Sequence, residues 1–237
     1  MSDKPVLLIT RPEPQASRSA RFFQENGYDT RIVPVLVIEH LAGPADIERQ
    51  CRARKYDAVV ITSQHALFGL ETLGELHGLP LYVPGEATAT LARAIGFRDV
   101  IVGKGTARDL AKEIHQKHVL YLSGHDIAFD MVTELKRRKI DADEMKVYRA
   151  ETNVEGIERL KDLIAKEKID VVLFYSSRTA RLFEAMMRQA KVTNAFKTCK
   201  AAVISQATAE SLREVWQARL VARTPDEKGL LQAVKEA

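Results

Sequence analysis

The 237 residues, 46% hydrophobic and 29% charged, suit one large soluble domain or two smaller ones with separate cores. A formal net charge of +4 with a pI near 9.0 is too mild for the clustered basic face of a nucleic-acid binder, but it suits a small anionic ligand. No apolar run reaches the length of a membrane span, and VLLIT near the start is shorter than a signal-peptide core, so a cytoplasmic protein is expected.

Short apolar runs alternate with amphipathic helical segments along the whole chain, the pattern of an α/β fold with mainly parallel strands. Strands are predicted at Val6–Thr10, Thr30–Val33, Ala58–Thr62, Leu81–Val83, Asp99–Val102, Val119–Leu122, Val171–Tyr175, Ala201–Ile204 and Leu220–Ala222. The first helix carries Ala16, Ala20 and Phe23 on one face and is expected to stop at Gly27. Leu67, Leu70 and Leu73 predict a second such helix, and Leu182, Phe183 and Met186 a later one. Cys51 and Cys199 stand apart, with no ligand at metal-site spacing, and are read as incidental thiols.

The chain is internally duplicated. DAVVITSQHALFGL at 57–70 returns as DVVLFYSSRTARLF at 170–183, an offset of 113, and VPGEATA at 83–89 returns as VISQATA at 203–209, an offset of 120. These periods exceed those of solenoid repeats and point to two like domains. A third correspondence pairs 7–35 with 119–147 at an offset of 112, and a short extended stretch, 33–40 or 145–152, follows each of these units. Two consecutive domains would need a single crossing, whereas two extended segments suit two crossings, in which the first strand–helix–strand unit is completed by the C-terminal part of the chain. One lobe would then be 1–36 plus 152–237 and the inserted lobe 41–147, each an open parallel sheet in a flavodoxin- or Rossmann-like three-layer arrangement. The segments 37–40 and 148–151 would form a two-stranded linker, with a cleft between the lobes.

In such sheets, ligands bind beyond the carboxyl ends of the strands. Small or hydroxylated residues stand at most of those turns: Thr10 and Arg11, Thr62 and Ser63, Gly85–Thr88, Ser123 and Gly124, Ser176 and Ser177, and Ser205–Thr208. The unpaired N–H groups at the helix starts, with the positive end of the helix dipole, suit carboxylate or phosphate. Simple helix capping by each Ser or Thr is the alternative reading. GxGxxG, GxxxxGK[ST], HExxH and GxSxG are all absent, and neither metal nor cofactor is expected. Of the six histidines, His65 and His125 fall just after strands, while His40, His77, His115 and His118 are expected on solvated faces. Tyr148, in KVYRA on the second crossing segment, is the candidate acid: a phenol with its ordinary pKa of about 10 is protonated at neutral pH and can serve a departing oxygen. A packed strand tyrosine is the alternative.

ITRP at 9–12, VITSQHAL at 60–67, PGEATATL at 84–91, LYLSG at 120–124, KVYRAET at 146–152, LFYSSRTARLF at 173–183 and ISQATAESL at 204–212 resemble, in order, the motifs of the uroporphyrinogen-III synthase family. The resemblance covers nearly the whole chain. It implies a cofactor-free lyase, expected as a monomer, with no nucleic-acid or membrane partner. Its substrate would be hydroxymethylbilane, a linear polycarboxylate tetrapyrrole. The family reaction removes water and closes the ring with inversion of ring D, passing through an azafulvene and a spiro intermediate. Closure without inversion can be spontaneous in this chemistry, so the enzyme's task is to hold the folded geometry.

Carried over by position, the resemblance makes Tyr148 the residue assisting loss of the hydroxyl. Ser63, Thr88, Ser176 and Thr208 become carboxylate-binding positions, with Gly85 and Gly124 at substrate-binding turns and Arg11 a partner for an acetate or propionate. Ser205 stands where the family has glycine, Ser123 where arginine is frequent, and His65 where a small or amide residue is common. Two other readings remain open at this level: a two-lobed binding or sensor domain that closes on an anion without transforming it, and an idle family member.

Overall fold

The computed structural model describes residues 4–237, so the first three residues of the expected 1–36 segment lie outside the described residues. In chain order the elements begin with β1 (Val6–Ile9), α1 (Gln15–Glu25), β2 (Asp29–Ile32), β3 (Leu36–His40), α2 (Pro44–Ala53) and β4 (Ala58–Ile61). They continue with β5 (Leu81–Val83), α3 (Glu86–Ala94), β6 (Val100–Val102), α4 (Ala107–Glu113), β7 (His118–Gly124), α5 (Met131–Arg137) and β8 (Asp141–Thr152). The last are α6 (Glu155–Lys166), β9 (Val171–Phe174), α7 (Ser177–Gln189), β10 (Lys200–Val203), α8 (Gln206–Ser211), β11 (Ala218–Val221) and α9 (Glu227–Lys235). The chain divides into two compact units, one running up to Val37 and resuming over Glu151–Ala237, the other spanning Ile38–Ala150.

The sheet of the first unit has the order β11-β10-β9-β1-β2, all parallel. In the second unit β8-β7-β4-β5-β6 are parallel, and β3 lies outside β8. The Leu41 N–H donates to the Val147 carbonyl at 2.9 Å and the Asn153 N–H to the Val35 carbonyl at 3.0 Å, so β3 and β8 run antiparallel. The two strands by which the chain passes from one unit to the other are therefore hydrogen-bonded to each other. At the first unit's end of this ribbon the buried Asn153 donates from Nδ2 to the Pro34 carbonyl at 2.8 Å, and its Oδ1 accepts from the Gly156 N–H at 3.1 Å.

Corresponding strands take corresponding places. β1 and β7, β9 and β4, and β10 and β5, which the sequence offsets pair, occupy the same ranks in the two sheets. Central strands are buried on both faces, and their side chains alternate between two cores as the pleat requires. Val59 and Ile61 of β4 join Leu120 and Leu122 of β7 in one cluster, while Ala58 and Val60 join Val119 and Tyr121 in the other. In the first unit, Leu7, Ile9, Leu173 and Ala202 pack beneath Ala16, Ala20 and Phe23 of α1.

One expected helix does not form. Residues 64–78 fold as three short 3-10 turns, Gln64–Leu67, Leu70–Thr72 and Gly74–Gly78, whereas the equivalent α7 runs unbroken for 13 residues. The apolar spacing of Leu67, Leu70 and Leu73 is real, but Gly69 sits at φ +77°, outside the helical region. A Cβ there would lie 2.5 Å from the Pro44 ring. The duplicated sequence places Leu182 where Gly69 stands, and the helix continues. His77 also departs from expectation. It is half-buried against Phe97, with ring centroids 5.0 Å apart, and its Nε2 is 2.8 Å from the Leu70 carbonyl oxygen.

The second face of the first unit rests on Phe174, Phe183, Phe196 and Trp216, packed mostly edge to face. Glu184, 2% exposed, fastens it: its carboxylate accepts from the N–H groups of Arg213 and Glu214 and from the Trp216 indole at 3.0 Å. Glu184→Ala strips these donors of their acceptor and is expected to cost about 2–3 kcal/mol in urea unfolding, against less for Glu184→Gln, which keeps one acceptor oxygen. A loss under about 0.5 kcal/mol would mean that water replaces the carboxylate.

Candidate functional site

The strand order of each unit is that of a flavodoxin-like sheet, in which the chain leaves the central pair of strands in opposite directions. The crevice at this switch point lies between β1 and β9 in the first unit and between β7 and β4 in the second. Residues that follow those strands are the natural candidates for a site, and the two switch points carry different chemistry.

In the first unit, Arg11 follows β1 and Tyr175 follows β9. The Arg11 guanidinium lies 4.1 Å from the Tyr175 ring centroid and its Nη1 is 3.2 Å from Ser19 Oγ and 3.4 Å from Glu227 Oε1. The Ser19 hydroxyl also donates to Glu227. Glu227 opens α9, where Asp226 caps the helix by accepting from the Gly229 N–H at 2.7 Å. Burial lowers the pKa of Arg11, an effect that the neighbouring Tyr175 and Glu227 oppose. The Tyr175 hydroxyl is buried beside Ser19 and Arg11 without a well-formed hydrogen bond, and burial pushes its pKa from 10.0 up to about 12. Neither Tyr175 nor Glu227 stands out in the sequence as a site residue. The only signal for Glu227 is the helix-start pattern of TPDEKG.

Ser176 caps α7, its Oγ accepting from the Thr179 N–H at 3.1 Å and lying 2.8 Å from Thr179 Oγ1. Thr208 is buried within the first turn of α8, with its N–H shared between the Ser205 carbonyl at 3.1 Å and the Ser205 Oγ at 3.3 Å.

The second unit repeats this local plan: residues 81–90 match 201–210 position by position in burial. Gly85 precedes α3 as Ser205 precedes α8, and its carbonyl accepts from the N–H groups of Thr88 and Ala89, both at 3.1 Å. Thr88 is buried like Thr208. Ser63, at the end of β4, caps the first 3-10 turn by accepting from the His65 N–H at 3.3 Å. Beyond the capping, each of these turns presents helix-start backbone, and Gly85 has open space where a Cβ would stand.

Tyr148 lies at the second switch point. Its half-buried ring sits against Gly124, at the end of β7, and 5.5 Å from the His65 ring. Tyr148 and Gly124 line a cavity of about 250 Å³ inside the second unit, with Thr62, Pro84, Gly105, Tyr121 and the 126–129 loop. Tyr121 is 1% exposed, its hydroxyl lies 3.1 Å from Thr62 Oγ1, and burial raises its pKa. Tyr121 is a lining residue that sequence reasoning misses, although a tyrosine within the apolar run VLYL of β7 is the available cue. Ser123 is fully buried and donates to Glu144 Oε1 at 2.7 Å, while His125 is exposed. Among the described residues no group of three or more His, Cys, Asp or Glu is placed to hold a metal ion.

These features define a duplicated, doubly wound α/β protein with its polar side chains gathered at the carboxyl ends of the strands. The model of one family, described as "Uroporphyrinogen-III synthase HemD", matches residues 17–232, and the chain belongs to that family. A relative from Methanocaldococcus jannaschii, named "Putative uroporphyrinogen-III synthase", is 26% identical over 193 residues, covering 75% of this chain and 76% of the relative. The fold is that of the uroporphyrinogen-III synthetase from Helicobacter pylori 26695, with a TM-score of 0.62, 19% identity and coverage of 98% and 99% of the two chains. It is also that of a mutant uroporphyrinogen III synthase from the extremely thermophilic bacterium Thermus thermophilus, with a TM-score of 0.59, 18% identity and 98% of both chains covered.

The cluster around Arg11 has a pH signature. Because the folded state raises the pKa of Tyr175, the phenol keeps its proton in the fold while the unfolded chain releases it near pH 10. The associated stability is complete below about pH 10 and is lost as pH rises towards about 12. Tyr175→Phe should therefore flatten the alkaline fall in stability, measured by urea unfolding at several pH values above and below 10. A slope identical to that of the wild type would show that Tyr175 is solvated.

Proposed function

We propose that this chain is a uroporphyrinogen-III synthase, a lyase that takes linear hydroxymethylbilane, removes water and closes the macrocycle with ring D inverted. The observation that carries the reading is the family match over residues 17–232. The chemistry needs no redox partner, because the lone pairs of the pyrrole nitrogens expel the hydroxyl. Tyr148 is the proposed acid: its phenol passes a proton to the departing oxygen as the C–O bond breaks, and water leaves. The proton given up by the pyrrole carbon when the ring closes restores the phenol. Its place beside a cavity lined by Tyr121 and Thr62 supports this role, since partial exclusion of water strengthens a hydrogen bond to the leaving group.

The remaining task is positional, because closure without inversion competes. Ser63, Gly85 and Thr88 in one unit, and Ser176 and Thr208 in the other, are proposed to receive substrate carboxylates through helix-start N–H groups and hydroxyls. Arg11 is proposed to meet an acetate or propionate, with its guanidinium already oriented by Tyr175 and Glu227. The protein is further proposed to work as a cytoplasmic monomer, without nucleic-acid or membrane partners. No helix among the described residues is long and apolar enough to cross a membrane.

Purified protein incubated with freshly prepared hydroxymethylbilane should yield isomer III, resolved from isomer I by chromatography after oxidation. Formation of isomer I alone, at the uncatalysed rate, would sink the reading. Tyr148→Phe should lower kcat by about tenfold or more with an unchanged melting temperature. An unaltered kcat would remove Tyr148 from the chemistry and leave the family assignment standing.

A further inference from the structure

Residues of β8 alternate faces until they reach Tyr148. Ala142 packs into one core of the second unit, Met145 and Val147 pack into the opposite one, and strict alternation would return Tyr148 to the side of Ala142. Tyr148 instead packs with Met145 and Val147. The β7–β8 ladder shows the cause: Ser123 pairs with Lys146 but Gly124 pairs with Tyr148, so Val147 is an extra residue in the register. A bulge of this kind inserts one residue and re-aims the side chain that follows. The His125 N–H donates to the Tyr148 carbonyl at 2.8 Å and continues the pairing past the irregularity.

The re-aimed ring needs room, and Gly124 supplies it. A Cβ on Gly124 would stand 2.7 Å from Tyr148 Cζ, 2.8 Å from its hydroxyl oxygen and 3.0 Å from Cε2. Those approaches are well inside van der Waals contact and involve the hydroxyl-bearing end of the ring. Gly124 is not at positive φ, so the requirement here is for space and not for backbone freedom. Leu120 and Leu122 on the same strand face the same core as Tyr148, and Gly124 is the next residue in that row. The missing side chain at the end of the row is the slot in which the phenol lies.

We infer that Gly124, together with the Val147 bulge, is a positioning residue for the Tyr148 hydroxyl rather than a direct ligand of the substrate. The inference rests on the proposed role of Tyr148 in the synthase reaction. Any side chain at 124 displaces the phenol from its place beside the cavity, and displacement on the ångström scale is enough to cost a reaction that depends on alignment.

The test combines turnover with a stability cycle over Gly124→Ala, Tyr148→Ala and the double variant. Gly124→Ala in the otherwise wild-type protein should lower kcat by about tenfold or more while KM for hydroxymethylbilane changes by less than about twofold. In urea unfolding, Gly124→Ala should lower the midpoint when Tyr148 is present and leave it unchanged or higher in the Tyr148→Ala background, where the ring is gone. Wild-type kcat in Gly124→Ala, or a raised KM with kcat intact, would overturn the inference; the second result would make Gly124 a substrate contact. Equal loss of stability in both backgrounds would overturn it too, because the strain would then lie elsewhere. If the wild-type protein itself forms no isomer III, the functional reading falls and takes the inference with it, an outcome separable from failure of the Gly124 variant alone.

Discussion

The constraint on which the rest depends is the burial of both faces of each parallel sheet. A strand such as AVVI at 58–61, with every residue buried, leaves no face for a ligand, so chemistry is confined to the ends of the strands. Of the two ends, the carboxyl end is favoured because the chain turns there into helices whose first N–H groups lack partners. The order of the strands then selects the crevice beside the central pair, where departing connections part. Arg11 with Tyr175, and Gly124 with Thr62 and Ser63, occupy those two places because they end the central strands of their sheets.

Duplication gave both units the same frame, and divergence gave them different contents. In the first unit the switch point holds a cation that already has protein partners: Arg11 is stacked on Tyr175 and paired with Glu227, which belongs to the last helix. In the second it holds phenols and a cavity. The units also differ after their central strands: 3-10 turns follow β4, with glycines at 69, 74 and 78, where the helix α7 follows β9 with Leu182, Met187 and Lys191 at the matching positions. The turn bearing Ser63 and His65 is thereby kept short, and His65 lies against Tyr148. A long helix with the axis of α7 is thus not a requirement of the frame.

Much of the frame was legible in the residues. Each predicted strand is present, because buried parallel strands are short apolar runs bounded by polar turns and helices. The capping serines were legible as well, since a cap needs only its own turn. Glu227 escaped because its partner Arg11 is 216 residues away, and a lone glutamate at a helix start reads as capping and no more. Tyr121 escaped because its surroundings depend on Thr62, a residue of another strand. Glu184 escaped for a like reason: nothing in α7 announces that the residues after α8 will bring three N–H donors to its carboxylate.

The sequence by itself determined the duplication and the chain position of Tyr148, because these are carried by local composition and by the spacing of similar segments; that one unit interrupts the other is shown by the strand pairing. Where the phenol points was decided only in three dimensions. Alternation along β8 predicts one face; the pairing with β7 inserts Val147, shifts the register and turns Tyr148 to the other, over a glycine. Register is a property of two strands together, fixed by the hydrogen bonds and packing each imposes on the other, and neither strand contains it alone.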